Sequence, residues 1–539
     1  MKKNTLLLLL LSFSAFAGVN LKNGNFYISY LDIKVPGGGN DLSITRTYNS
    51  KSTTDGWFGF GWGNEYETFL AVEADGSVVV YENGSGAQTR FVPQKAVDPM
   101  AAANRILEAM RKTSAVNDET AKSLVDKLAK DAELRQIYAK RYNVETSIAN
   151  NTVLYSNTRG LQEIKKTSDG FVRKYNEGKQ DFFNNAGKLV KILEKNGYFI
   201  NLTYEKDLLQ NIKDSAGKQL YFSWYPEGKV KKIWSAGDKA AEYTYQNKDL
   251  VKTKDVAGNT YDYEYDANHN MLSVKYANGT FMKMTYEPKT YFVSSVQEPD
   301  GELTKYKYES NPKNPYKHYW TVVSKQVPGG KFIDNKYEYE IKSKPDGEQY
   351  TYRIFTSINN VNTETIYSEC CGLPLKISRG KHVTNFEYNG DGLLLKKYSS
   401  SGESVELDYD KEHKKIAKVK NNSGWTTFEY NKKGDLVKAQ NDKGKIVRLD
   451  YNVEGRIRKM VDVNKNTNEE RQLSFKYNPQ GKPIEINMEK VGVITVQYDN
   501  YGEIKDVQSK AGRKMALQVT QAFQSLLAIV KPAGVNLSL

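Results

Sequence analysis

Apolar and polar residues alternate along most of this chain in short runs, and each run ends on an aromatic residue. Ile200 and Leu202 precede Tyr204, Leu220 and Phe222 precede Trp224, Val405 and Leu407 precede Tyr409, and Leu473 and Phe475 precede Tyr477. Spacing of two places these side chains on one face of a strand, with the intervening Lys, Glu, Thr and Asp on the other. Glycine follows four residues after many of the aromatics (Gly187, Gly228, Gly392, Gly434, Gly455, Gly481, Gly502), and an apolar residue then opens a second run (Leu189, Val230, Leu436, Ile457, Ile504). A turn that needs φ > 0 between two alternating runs predicts an antiparallel hairpin.

The hairpin is copied. Thirteen aromatics mark it: Phe183, Tyr204, Trp224, Tyr245, Tyr265, Tyr286 and Tyr308, then Tyr388, Tyr409, Tyr430, Tyr451, Tyr477 and Tyr498. Steps between them are 20 to 22 residues, with one of 26 and a gap between Tyr308 and Tyr388. In eight of them the next residue is Asp or Asn, whose side chain opens the turn. A fixed period of this size means one supersecondary unit stacked many times. The predicted fold is mainly β: repeated antiparallel hairpins, about 21 residues each, in a sheet that twists and therefore curls or spirals. About 30 strands at ~4.8 Å give a strip roughly 150 Å long.

Three stretches leave the period. Residues 95–145 change to helical spacing, with Ala102, Ile106 and Met110 on one predicted helix and Leu124, Leu128, Leu134 and Ile137 on a second, capped by Asn117 or Asp118. Residues 309–366 keep strand chemistry but have longer connections. Residues 511–539 predict a helix from Arg513 to Val530, apolar enough (Leu517, Phe523, Leu526, Leu527) to dock on the array or fill its interior. The organisation expected is thus a leader (1–17), an N-terminal β domain (18–94), a helical hairpin insertion (95–145), the repeat array (146–510) and a C-terminal helix and tail (511–539).

The leader changes the picture of compartment. Lys2 and Lys3, an apolar core from Thr5 to Phe16, and Ala15-Phe16-Ala17 read as a secretory signal cleaved before Gly18, so the protein is expected to be exported to the periplasm, outer surface or medium. No later stretch is long and apolar enough for a transmembrane helix. The formal charge of +14 becomes +12 without the two leader lysines. Those lysines that remain are scattered on strand faces, where they solubilise a sheet and guard its edges; no basic helix or motif points to nucleic acid.

Chemistry is sparse. Cys370 and Cys371, adjacent and the only cysteines, are a candidate disulfide in an oxidising compartment. Adjacent Cα atoms lie ~3.8 Å apart, closer than a relaxed disulfide prefers, so such a bond is expected to be readily reduced. His269, His318, His382 and His413 are far apart in sequence and read as surface residues. No nucleophile elbow, zinc-protease motif or phosphate loop occurs, so no catalytic residue, metal ligand or cofactor site is assigned. Trp234, Trp320 and Trp425 stand off the anchor register and are the candidates for stacking on a glycan.

The units Gly258 to Tyr265-Asp266, Gly444 to Tyr451-Asn452 and Gly455, and Gly492 to Tyr498-Asp499 and Gly502 resemble the YD-repeat, or rearrangement-hotspot (Rhs), family. Val35-Pro36-Gly37-Gly38-Gly39, Leu42 to Ser50 and Gly59-Phe60-Gly61-Trp62-Gly63 resemble the domain that precedes the repeats in that family, with Trp57, Phe58 and Trp62 as its core. The resemblance implies a sheet that spirals into a hollow shell. In bacterial toxins of the family the shell encloses a toxic segment; in teneurins a similar shell serves adhesion. The family's self-cleaving core with paired aspartates is not visible here after the last repeat. The expectation is therefore a non-enzymatic β scaffold that binds a cell-surface glycan or encloses a polypeptide. Its alternatives are a shell component of a toxin-delivery system, and a glycan hydrolase using interior carboxylates.

Overall fold

The computed structural model describes residues 16–530 apart from 37–40, 85, 94–97, 115–116, 145, 157–159, 238, 480, 490, 500–503 and 511. The expected leader lies almost wholly outside the described residues, as does Gly502.

From Phe69 to Ser509 the strands form one continuous antiparallel sheet, each paired with its neighbours in sequence. It is interrupted in sequence only by the helical segment, because Ala87–Pro93 pairs directly with Val153–Ser156. The sheet holds 36 strands and is an open strip: its last strand, Ile504–Ser509, pairs with Gly492–Tyr498 and with no later strand among the described residues. At its start the strip touches itself. Phe69 bridges Lys188, and the Leu70 N–H donates to the Gly187 carbonyl at 2.8 Å. A Cβ on Gly187 would fall 2.0 Å from the Leu70 oxygen, so only glycine admits this contact.

The anchors sit where the hairpins are irregular. The register shifts by one residue at Tyr204, Trp224, Tyr245, Tyr265, Tyr286, Tyr388, Tyr409, Tyr430, Tyr451, Tyr477 and Tyr498. A bulge adds local right-handed twist; repeated once per unit, it bends the whole strip. The turn after Tyr430 is built as expected: the Asn431 Oδ1 accepts from the Lys433 and Asp435 N–H groups, and Gly434 has φ 76°. In the Tyr265 unit His269 takes the left-handed position, at φ 64°.

A separate four-stranded sheet (Phe16–Asn20, Asn25–Val35, Leu42–Asn49, Trp62–Asn64) lies against the anchor face of the strip. Phe26, Ile28, Leu42, Ile44 and Trp62 are buried there with Leu209, Ile233, Leu250, Met271 and Val293 of the repeats. Phe58 is in the same core, while Trp57 is half-buried against Phe222 and Trp224. The strands of the expected N-terminal β domain are shared between two sheets: the first form this inner sheet, and Phe69–Pro93 opens the strip.

The helical hairpin expected at 95–145 is three helices: α1 (Pro99–Arg111), α2 (Asp118–Lys130) and α3 (Ala132–Arg141). The run of apolar residues from Leu124 to Ile137 is cut at Asp131. That residue leaves the helical region and caps α3 by accepting from the Leu134 N–H. Ile137 is 56% exposed, which the single-helix reading did not anticipate. At the other end α4 (Gly512–Val530) docks on the anchor face of the last repeats, burying Met515 and Ala522 with Val447, Leu449, Met460 and Leu473. Leu517 points away and is 56% exposed.

Candidate functional site

The face that carries the anchors is the interior of the curl, because both the inner sheet and α4 pack against it. Its repeating chemistry is a ladder of hydrogen bonds between units. The Tyr430 hydroxyl donates to the Ile416 carbonyl at 2.7 Å, Tyr451 to Leu436 at 2.7 Å, Tyr477 to Ile457 at 2.6 Å and Tyr498 to Pro483 at 2.9 Å. Tyr204, Tyr245, Tyr265, Tyr286, Tyr308, Tyr388 and Tyr409 do the same to their preceding units, and Trp224 does so with its indole Nε1. The accepting residue in nearly every case opens the second strand of the preceding hairpin, next to its bulge. A bulge interrupts the backbone ladder, and the aromatic of the next unit supplies a hydrogen bond at that point. Burial pushes the Tyr430 hydroxyl up to about 12, with Asp410 adding to the effect, so it remains a donor at neutral pH.

The inner sheet is fixed to this face by a buried charge pair. Arg46 and Asp32 are 0% and 2% exposed, with the Arg46 Nε 2.8 Å from Asp32 Oδ2. The Arg46 Nη2 donates to Thr253 Oγ1 and to the Tyr263 hydroxyl, and the Tyr243 hydroxyl donates to Asp32. Rings of Trp62 and Tyr30 lie 4.5 and 4.8 Å from the guanidinium carbon. Burial raises the Asp32 pKa and Arg46 opposes it. The two sheets share the pair, which joins one to the other.

Between the two fillings the described residues cover the interior only in part: the first turn of the inner sheet reaches in, where Thr321 Oγ1 donates to the Leu21 carbonyl at 2.7 Å and Lys22 Nζ donates to Thr351 Oγ1 at 3.0 Å. The hydrophobic core under the inner sheet reaches Tyr306, and the next clusters begin at Leu394 and Val405. The stretch between them is the one whose connections lengthen, and its strands are long: His318–Gln326, Phe332–Ser343 and Gln349–Ile358. Its interior row pairs Thr321, Tyr337, Thr356, Thr363 and Arg379 across five strands. Tyr339, Ile354, Thr365 and Ile377 form the parallel row. Thr321 and Tyr339 are buried, Thr321 beneath Leu21; Tyr337, Ile354, Thr356, Thr363, Thr365 and Ile377 are half-buried, with no hydrophobic cluster over them among the described residues.

The strip also meets itself one circuit on. Lys195, in the turn before Phe199–Glu205, pairs with Asp435, in the turn before Leu436–Asn441, at 3.2 Å. A cavity of about 590 Å³ lies along this seam, lined from one side by Tyr155, Lys174 and Tyr175 and from the other by Asp391, His413 and Lys415. Twenty-one strands separate the two turns, so one circuit is ~100 Å round and ~32 Å across.

The residues singled out from sequence do not converge. Trp234, Trp320 and Trp425 all lie on the outer face: Trp234 stacks on Tyr221, Trp320 donates to Glu309, and Trp425 is 37% exposed. They are eight and nine strands apart, roughly 40 Å at each step. Cys370 and Cys371 are joined in the turn between Val361–Tyr367 and Pro374–Arg379, with Cys371 buried. His269, His382 and His413 are dispersed. His318 is not: with Glu338 and Glu340 it places three ligand-type atoms within 4.8 Å on the outer face. Lys336 and Arg353 already neutralise those carboxylates, Arg353 at 3.3 Å from Glu338 and 2.8 Å from Glu340. Burial raises the Glu338 pKa, but hydrogen bonds from Lys336 and His318 outweigh it and hold it at about 2. This cluster depends on register across three long strands, which no local motif in the sequence reveals. Among the described residues no helix is long and apolar enough to cross a membrane, which says nothing of strands.

Comparison with known proteins fits the repeat. The RHS repeat model matches residues 243–280, and the model of a domain of unknown function, DUF6531, matches residues 17–91. The tRNA3(Ser)-specific nuclease WapA of Bacillus spizizenii is 22% identical over 343 residues, which cover 54% of this chain and 12% of that protein. The tRNA nuclease WapA of Bacillus subtilis strain 168 gives the same figures. The chain thus spans about an eighth of the length of the curated relatives it matches. Among solved structures, TcdB2-TccC3 without its hypervariable C-terminal region has a TM-score of 0.43 at 9% identity, covering 91% of this chain and 28% of that one. The Tc holotoxin pore of Photorhabdus luminescens has a TM-score of 0.39 at 10% identity, covering 87% and 33%.

Proposed function

We propose that this Rhs/YD-repeat chain is a shell component of a toxin-delivery system, whose curled strip holds a polypeptide cargo against its interior face. The observation that carries the reading is the stretch of interior between the inner sheet and α4 over which the described residues place no second layer, walled by the Tyr- and Thr-rich rows from Tyr337 to Arg379. Tyrosine and threonine offer apolar surface together with hydroxyls that donate and accept, and so they hold a backbone without requiring one sequence. A circuit ~32 Å across, already part-filled, leaves room for an extended segment rather than a folded domain. The repeat family supports the same reading, since its bacterial shells enclose toxic segments. The role assigned is containment, not catalysis, and the nuclease activity in the relatives' names is not carried over.

Thiol accessibility tests it. Thr356→Cys on the interior row and Lys376→Cys on the outer face should both react with a small maleimide. A maleimide carrying a long polyethylene-glycol chain should modify Lys376→Cys and leave Thr356→Cys largely unmodified. Equal reaction at both positions would show an interior open to bulk polymer and would remove the containment reading.

A further inference from the structure

We propose that the cavity along the seam is a binding site for a small phosphorylated molecule, which ties the strip to itself from one circuit to the next. The inference rests on the seam and stands whether or not the interior holds cargo.

The described residues leave about 590 Å³ between the two sets of turns. Two lysines meet there from opposite sides. Lys195, from the first circuit, lies 3.2 Å from Asp435, and Lys415, from the second, donates to the Gly434 carbonyl at 2.5 Å. The turn Asn431–Asp435 therefore receives both ammonium groups and offers them one carboxylate, that of the buried Asp435. Glycine makes room on each side. A Cβ on Gly178 would fall 3.0 Å from Lys195 Cγ, and one on Gly434 would fall 3.3 Å from Lys415 Nζ and 3.2 Å from His413 Nδ1. Burial pulls the Lys415 pKa down and the Lys195 ammonium adds to that pull, while Asp435 opposes it and Lys174 adds to it again.

The remaining charges on the wall are met elsewhere. Lys414 pairs with Asp391 at 2.7 Å, and Lys174 faces Glu163 at 3.8 Å. The Glu412 side chain is 74% exposed and Glu454 is exposed as well, so water screens both; Glu194 is half-buried. The positive excess is thus local, at Lys195 and Lys415, where two ammonium groups share a single carboxylate. A second anion between them relieves that repulsion, and a phosphoryl group brings several strong acceptor oxygens for lysine donors. The rest of the wall is not ionic: Tyr155, Leu161, Leu193 and the 84% exposed Val453 line it. Apolar walls beside a few convergent charges suit a phosphate carried on an organic body.

The test is isothermal titration calorimetry of the full chain with glucose 6-phosphate, which should show one saturable site. Lys195→Gln and Lys415→Gln should each weaken binding about tenfold, the loss of one charge-assisted hydrogen bond. Lys195→Arg, which keeps the charge beside Asp435, should retain binding, and Lys414→Gln, outside the convergent pair, should retain it too. No saturable heat at millimolar ligand, binding unchanged in both K195Q and K415Q, or equal binding of glucose without its phosphate would overturn the proposal. Tighter binding of pyrophosphate than of glucose 6-phosphate would overturn the organic ligand in favour of an inorganic one.

Discussion

Tyr430 shows what the anchor is for. Its ring is one apolar residue among several on the interior face, but its hydroxyl is the atom that joins its unit to the one before, through the Ile416 carbonyl. Tyr430→Phe should lower stability by about 1 kcal/mol, since it removes one hydrogen bond and leaves a carbonyl beside a bulge without it. Hydrogen exchange would localise the effect to amides of Ile416–Asn421 and Gly424–Tyr430. Phe183 is the internal control: as the first anchor it carries no hydroxyl, and Phe183→Tyr should gain nothing comparable. Exchange unchanged in Tyr430→Phe would show that the ladder is incidental. The positions of the anchors were legible in the sequence, because period and turn chemistry both mark them. Even Trp224 was placed by Gly228, and its indole makes the ladder bond. The bond itself was not legible, since it reaches a carbonyl 14 to 20 residues back and depends on where the bulge falls.

At the scale of elements, the block α1–α3 is held to the strip by charge. Asp75 pairs with Arg90 and lies 3.3 Å from Arg135 of α3; Arg90 in turn lies 2.8 Å from Asp346, in the turn between two long strands. Burial works to raise the Asp75 pKa, but Arg90, Ser77 and Arg135 outweigh it and leave it below its ordinary 3.8. A carboxyl depressed in the folded state stabilises fully above its unfolded pKa and loses that contribution as pH falls through the folded one. The contact between the helical block and the strip should therefore hold at neutral pH and weaken below about pH 4. Asp75→Asn should weaken it already at neutral pH and reduce that acid dependence, leaving the part carried by Asp346, whose pKa is also lowered, against burial, with Arg90 among the causes. Exchange protection of α3 amides across pH 3 to 7 reads this out, and a flat profile in the unaltered protein would contradict it. The helices were visible in the sequence from their spacing. The break at Asp131 was not, because it lies within a run of good helix formers and the cap that Asp131 makes to the Leu134 N–H decides it.

At the scale of the whole molecule, twist accumulates from a bulge in nearly every unit until the strip returns to its own beginning. That a meander of hairpins must coil was deducible from the repeat; where it closes was not. The seam is made by Lys195 and Asp435, 240 positions apart, in turns whose sequences say only that they are turns. Nor did the sequence distinguish the interior rows of the long strands from any other alternating run, since what makes them a candidate site is that the described residues lay no second layer over most of them. The inner sheet reaches no further than Thr321 and Thr351 with its first turn among the described residues, α4 lies beyond the rows, and both facts belong to the assembled fold.

The curl is the claim on which containment, seam and site all rest, and one cross-link tests it. Lys195→Cys and Asp435→Cys should be bridged within a single chain by a short bis-maleimide, giving a monomer of altered gel mobility with the cross-link between those two peptides by mass spectrometry. In an uncurled strip the same positions would lie twenty-one strands apart, ~100 Å, beyond the reagent. Failure to cross-link within the folded monomer would contradict the curl.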